Sequence, residues 1–169
     1  MADQDFVRAL GLPFMAHRLR RLSELILEGA SEELRRFGFD GPARAGSTLL
    51  LLRDNGPTGI TEIAYRLRLS HPLIIKLAAA LAGAGLVRDE SDPADHRRRL
   101  LALTRKGEAE AARIEHFSAA LGRVFGAMFE EAGADLFAAV EKFEAAAEAR
   151  PIAARLEAEL AEAVEAVEA

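Results

Sequence analysis

The chain has 169 residues; 50% are hydrophobic and 29% charged, the composition of a folded globular protein and not of a disordered one. Aromatic residues make up 6%, with no Trp and one Tyr, which argues against a β-sandwich or a carbohydrate-binding face. The sequence holds no Cys, so disulfides, thiolate zinc sites, thiol nucleophiles and thiol redox sensing are excluded, as suits a reducing compartment.

The opening, MADQDFVRALGLPFMAHRLRR, lacks a basic head followed by an apolar run, so no signal peptide is expected. No stretch approaches the ~18 consecutive apolar residues of a membrane span. These features predict a soluble cytoplasmic protein with no membrane partner. The net charge of −5 is unevenly spread. Residues 1–105 carry 16 Lys/Arg and 13 Asp/Glu, a net of +3, whereas 106–169 carry 6 and 14, a net of −8. An acidic chain of this kind can still bind a polyanion through one basic face.

The first predicted helix covers 6–37, where Leu19, Leu22, Ile26, Ala30, Leu34 and Phe37 recur on one face, with Gly11-Leu12-Pro13 interrupting its start. Asp40 is a candidate cap for the next helix, and Pro42 suits a first turn. A second helix is predicted over 43–54, ended by Asn55-Gly56-Pro57, and a short third over 59–67 with Ile60, Ile63, Ala64 and Leu67 inward. Arg68-Leu69 make a tight turn; Ser70 reads as the N-cap of a fourth helix, 71–83, with Pro72 in its first turn and Ile74, Leu77, Ala78 and Leu81 on one face. Gly83-Ala84-Gly85 ends it.

Two short strands, Leu86–Asp89 and Arg99–Leu103, flank a polar loop over Glu90–Arg98 and predict a hairpin, after which Thr104 can cap the next helix. Helices are then predicted over 105–131, 134–149 and 151–168. None of the three closes a core alone, so each needs the others, the first helix or a second chain. The expected fold class is mainly α with a small β-hairpin: a winged helix-turn-helix over 40–105, with 1–39 and 106–169 forming a helical dimerisation region.

This order carries a physical logic. A helix fits the B-DNA major groove and its N-terminal residues reach base edges, while a basic hairpin reaches neighbouring phosphates or the minor groove. Here the recognition helix is 71–83, and the wing, 90–99, carries Arg97, Arg98 and Arg99. Three successive arginines are costly to crowd without an anion nearby, so phosphate contact is favoured over a merely solvated wing. Ser70 is an N-cap under either reading. Lys76 meets phosphate or solvent, and Arg66 and Arg68 are weaker candidates.

The stretch Ile60–Gly107 resembles the MarR (multiple antibiotic resistance regulator) family of bacterial transcription regulators. The resemblance rests on T-E-I-A at 61–64, S-x-P at 70–72, A-G-L-V at 84–87, D-P-x-D-x-R at 92–97 and L-T-x-x-G at 103–107, and extends over roughly 14–132. It implies a homodimer interlocked through its first and last helices and bound to double-stranded DNA. It implies that Arg97 enters the minor groove, steadied by Asp95, and that Ser70, His71, Pro72 and Lys76 meet bases and phosphates. It further implies release by a small-molecule effector bound between the dimer helices and the winged domain. No residue can be assigned to the effector from sequence.

The chain departs from the family pattern in two places. His96-Arg97 stands where Arg-Arg is frequent. Leu73 and Ile75 stand where small polar residues are common; apolar side chains can touch thymine methyls but cannot donate hydrogen bonds. Affinity is then expected to rest mainly on phosphate contacts, or the operator to be A/T-rich.

His17, His71, His96 and His116 form no metal-ligand spacing, and Phe117, Phe125, Phe129, Phe137 and Phe143 suit core and dimer packing better than a ligand cage. His71 and His96 are expected on the DNA face. No G-x-S-x-G, P-loop or dinucleotide Gly motif occurs, so neither an enzyme nor a cofactor is expected. The alternative is a winged-helix protein-interaction module that offers its Leu73/Ile75 face to a partner.

Overall fold

The computed structural model describes residues 5–95 and 97–168, with side chains as far as 161. They divide into two compact units, Met1–Leu121 and Gly122–Ala169.

In the first unit, α1 (Phe6–Leu10) and α2 (Met15–Arg36) are separate helices. Gly11, with φ +73°, and a single 3-10 turn at Leu12–Phe14 part them, at the interruption expected from Gly11-Leu12-Pro13. Asp5 caps α1 and pairs with Arg21 at 2.6 Å, tying α1 back onto α2. Only Leu34 of the predicted α2 stripe is fully buried; Leu19 and Phe37 are exposed. Asp40 caps nothing. Its carboxylate instead takes the Lys106 ammonium at 2.8 Å, and Pro42 stands at the N-cap of the next turn, Ala43–Ala45.

That turn leads into α3 (Gly46–Asn55), β1 (Thr58–Gly59), α4 (Ile60–Leu67) and α5 (His71–Gly83). Strands β2 (Val87–Ser91) and β3 (Arg99–Leu103) follow, then the long α6 (Arg105–Ala132). The sheet has three antiparallel strands in the order β1-β3-β2, not the two expected. Thr58 and Gly59 pair with Leu101 and Leu100. A two-residue strand shows no alternation, so its sequence carried no signal. Strand β2 also runs two residues further than expected, because Glu90 and Ser91 pair with Leu100 and Arg99.

The core lies where α3, α4, α5 and the sheet meet. Leu49, Leu52, Ile63, Ile74, Leu81 and Leu86 are its largest fully buried aliphatic side chains. All four residues expected to face inward from α5 are buried. The turn after α5 is a Schellman motif: the Leu86 and Gly85 amides donate to the Leu81 and Ala82 carbonyls at 2.9 Å, and Gly85 has φ +71°.

The family-like motif 103–107 has an architectural reason. The Thr104 hydroxyl accepts the Gly107 amide at 3.0 Å, capping α6 as expected, and donates to the Gly85 carbonyl at 2.7 Å. A Cβ on Gly107 would stand 1.9 Å from the Leu86 carbonyl oxygen, so only glycine lets α6 pass there. Arg113 of α6 donates to the Phe37 carbonyl at 3.1 Å, just past the end of α2. A cation is favoured at that negative helix end.

The second unit holds the end of α6, α7 (Leu136–Ala149) and α8 (Ile152–Glu168). Asp135 caps α7 through the Ala138 amide, and Arg155 donates to the Ala146 and Arg150 carbonyls at its other end. Leu136, Phe137, Val140 and Phe143 on α7, and Ile152, Leu156 and Leu160 on α8, are all exposed.

Candidate nucleic-acid interface

Helices α4 and α5 are joined by a turn in which Arg68 takes a left-handed conformation, φ 51°. The Leu69 amide donates to the Ala64 carbonyl at 3.0 Å, closing α4. Arg66 is part of this scaffold: its guanidinium holds Glu62 at 2.5 Å and the Asn55 side chain at 2.6 Å, clamping α4 to the end of α3.

Ser70 occupies the N-cap of α5 with extended backbone, and its carbonyl accepts the Ile74 amide at 3.1 Å. Its hydroxyl, however, makes no capping bond. An N-cap side chain serves the second or third helical residue, and the second here is Pro72, which has no N–H.

The exposed side of α5 carries His71, Pro72, Leu73, Ile75 and Lys76, then only Ala79, Ala80, Ala82 and Gly83. Every recognition-helix residue named from sequence is therefore on the outward side. Lys76 also borders a cleft of about 380 Å³ between α5 and the turn after α2, and Arg44 faces the same cleft. Sequence reasoning missed Arg44, which falls outside the helix-turn-helix motif. Its signal was a lone cation next to Pro42 and Ala43. Neither Arg44 nor Lys76 has an ion pair among the described residues.

The wing is held by its own carboxylates. Asp92 accepts the Ala94 amide at 2.8 Å and Asp95 accepts the Arg97 amide at 3.1 Å, while the Arg98 amide donates to the Asp95 carbonyl at 2.8 Å. Asp95 thus steadies the backbone of Arg97 and not its guanidinium. Arg97, Arg98 and Arg99 are all exposed. Arg98 turns back to Asp92, N···O 3.7 Å, whereas Arg97 and Arg99 have no carboxylate partner among the described residues. Arg88 is committed to the Leu103 carbonyl and to Glu90. His96 lies outside the described residues.

A second, apolar cleft of about 270 Å³ opens between α2, α3 and α6, lined by Ile26, Ala30, Leu34, Leu50, Phe117 and Leu121 together with Ser31, Ser47 and Ser118. Phe117 packs on Phe37 with ring centroids 6.2 Å apart.

No protein-family model matches the sequence, and no curated protein matches it. Solved structures do. The PcaV transcriptional regulator of Streptomyces coelicolor, in complex with its natural ligand, is 24% identical with a TM-score of 0.62, over 87% of this chain and 99% of that one. MepR of S. aureus, in complex with DNA, is 21% identical with a TM-score of 0.64, over 78% and 96%. The adhesin competence repressor AdcR of Streptococcus pyogenes is 18% identical with a TM-score of 0.56, over 78% and 93%. The chain shares the fold of these proteins, a winged helix-turn-helix that is mainly α with a small antiparallel sheet, the fold class expected from the order of the elements.

Proposed function

We propose that this chain is a homodimeric, MarR-type transcription regulator that binds double-stranded DNA through 40–105 and dimerises through 1–39 and 106–169. The observation that carries the reading is the pair of exposed wing arginines, Arg97 and Arg99, which have no carboxylate partner among the described residues, beside an outward-facing α5. Helix α5 enters the major groove. Arg97 reaches the minor groove, and Arg99, Arg44 and Lys76 meet phosphates. The α5 N-terminus, whose first amides Ser70 does not cap, favours a phosphate as well. Repression is the expected sense. The role is non-enzymatic, a reading supported by the regulators that share the fold. No described helix is long and apolar enough to cross a membrane, and the setting proposed is the cytoplasm.

The effector site is assigned to the cleft between α2, α3 and α6. Its size suits a small molecule, its walls are aliphatic and aromatic, and its polar groups are serine hydroxyls, so an apolar ligand with one or two hydrogen-bonding groups fits it. MepR bound to DNA and PcaV bound to a ligand support the two halves of this proposal.

The exposure of Leu73 (39%) and Ile75 (51%) favours a second reading, a winged helix that docks a protein. Electrophoretic shift with the DNA upstream of its own coding sequence separates the two. The first reading expects a shifted dimer complex that Arg97→Ala weakens. A dimer that shifts no duplex, and whose behaviour Arg97→Ala leaves unchanged, overturns it.

A further inference from the structure

Helix α5 is poor in hydrogen-bonding groups where a reader of base edges needs them. Of its 13 residues, only His71 and Lys76 can donate or accept through a side chain. Pro72, Lys76 and Ala79 share the outward line, at three- to four-residue spacing opposite buried Ile74, Leu77, Ala78 and Leu81. Leu73 and Ile75 flank that line, one on each side. Both leave large apolar side chains in water on a helix that otherwise exposes only small residues after Lys76.

The surroundings of this patch indicate what covers it. Arg44 and Lys76 lie on one side and the wing arginines belong to the same winged unit, a cationic frame that suits a polyanion. The Ala79, Ala80, Ala82 and Gly83 side adds no bulk, so the helix can lie deep in a major groove about 12 Å wide. On the floor of that groove the one apolar group is the C5-methyl of thymine.

We propose that Leu73 and Ile75 are the specificity-determining residues of this chain and that they read thymine methyl groups, so its preferred duplex carries thymines at fixed positions in each half-site. This rests on the DNA-binding reading above. Burying one methyl is worth about a fourfold change in affinity. Sequence preference then arises from apolar contact, with His71 the remaining polar group near the base edges, and affinity from the arginines and Lys76.

The test uses the full-length protein. Binding sites are selected from random duplex DNA, and the thymines of the selected site are replaced one at a time by deoxyuridine, which removes the methyl and keeps every hydrogen-bonding group. The proposal expects invariant thymines and a loss of about fourfold at each contacted position. It also expects that loss to vanish in the Leu73→Ala/Ile75→Ala double variant, whose melting temperature confirms folding. Uracil bound as well as thymine overturns the proposal, as does a uracil penalty that persists in the double variant. Salt-sensitive binding with no thymine preference overturns it too and leaves the DNA-binding reading standing. Failure to retain any duplex overturns both.

Discussion

Arg98 Nη1 lies 3.7 Å from Asp92 Oδ2 across the mouth of the wing, and this contact sets Arg98 apart from the arginines on either side of it. Arg97→Ala, which removes a cation from the minor groove, and Arg99→Ala, which removes a phosphate contact, should each weaken DNA binding and lower the salt-dependence slope by about one. Arg98→Ala should change the slope less, because its side chain already has a carboxylate. Fluorescence anisotropy of a labelled duplex at several salt concentrations measures all three, and equal losses for the three variants would contradict the distinction.

Gly107→Ala should destabilise the protein by about 2–4 kcal/mol, since the new methyl meets the Leu86 carbonyl oxygen and α6 has to move. Gly29→Ala, in the exposed middle of α2 with nothing within 4 Å, should instead stabilise by about 0.5–1 kcal/mol. Thermal melting of both variants reads the two opposite signs.

Two carboxylates should titrate below their ordinary value of 3.8. The hydrogen bond from Arg21 is the largest cause holding Asp5 at about 2, and the hydrogen bond from Lys106 is the largest cause lowering Asp40. A folded-state value below the unfolded one means that the stabilisation is complete above pH 3.8 and is lost as the pH falls through the lowered value. For Asp5 that window runs from 3.8 down to about 2. Carboxyl titration by NMR should find both midpoints low, and Arg21→Met and Lys106→Met should each return their partner toward 3.8.

The exposed apolar residues of α7 and α8 need a cover that the second unit does not supply. Phe143→Glu and Leu156→Glu should therefore shift the protein toward monomer in sedimentation velocity, with the helical far-UV signal largely kept. Variants that remain fully dimeric would place the dimer contact elsewhere.

Much of the winged unit was legible because its signals are local. The buried face of α5 follows from Ile74, Leu77, Ala78 and Leu81, and its start from Ser70 and Pro72. What escaped depends on distant partners. Strand β1 exists because Leu100 and Leu101, more than forty residues on, supply its pairing. Asp40 read as a cap because Asp before a turn usually is one, yet Lys106 from α6 claims it. Ser70 and Pro72 both mark the start of α5, but Pro72 removes one of the two amides that the Ser70 hydroxyl could cap. In the candidate interface, the outward placement of Leu73, Ile75 and Lys76 follows from helical spacing. Arg44 joins Lys76 only through the packing of the turn after α2 against α5.

Salt dependence of binding to a selected duplex tests the grip of the wing most directly. A dimer engaging six to ten phosphates should lose roughly 10³–10⁵ in affinity between 50 and 200 mM salt, with a smaller slope for Arg97→Ala. Affinity that stays flat over that range, or a slope that Arg97→Ala leaves unaltered, would contradict the claim that the wing holds DNA.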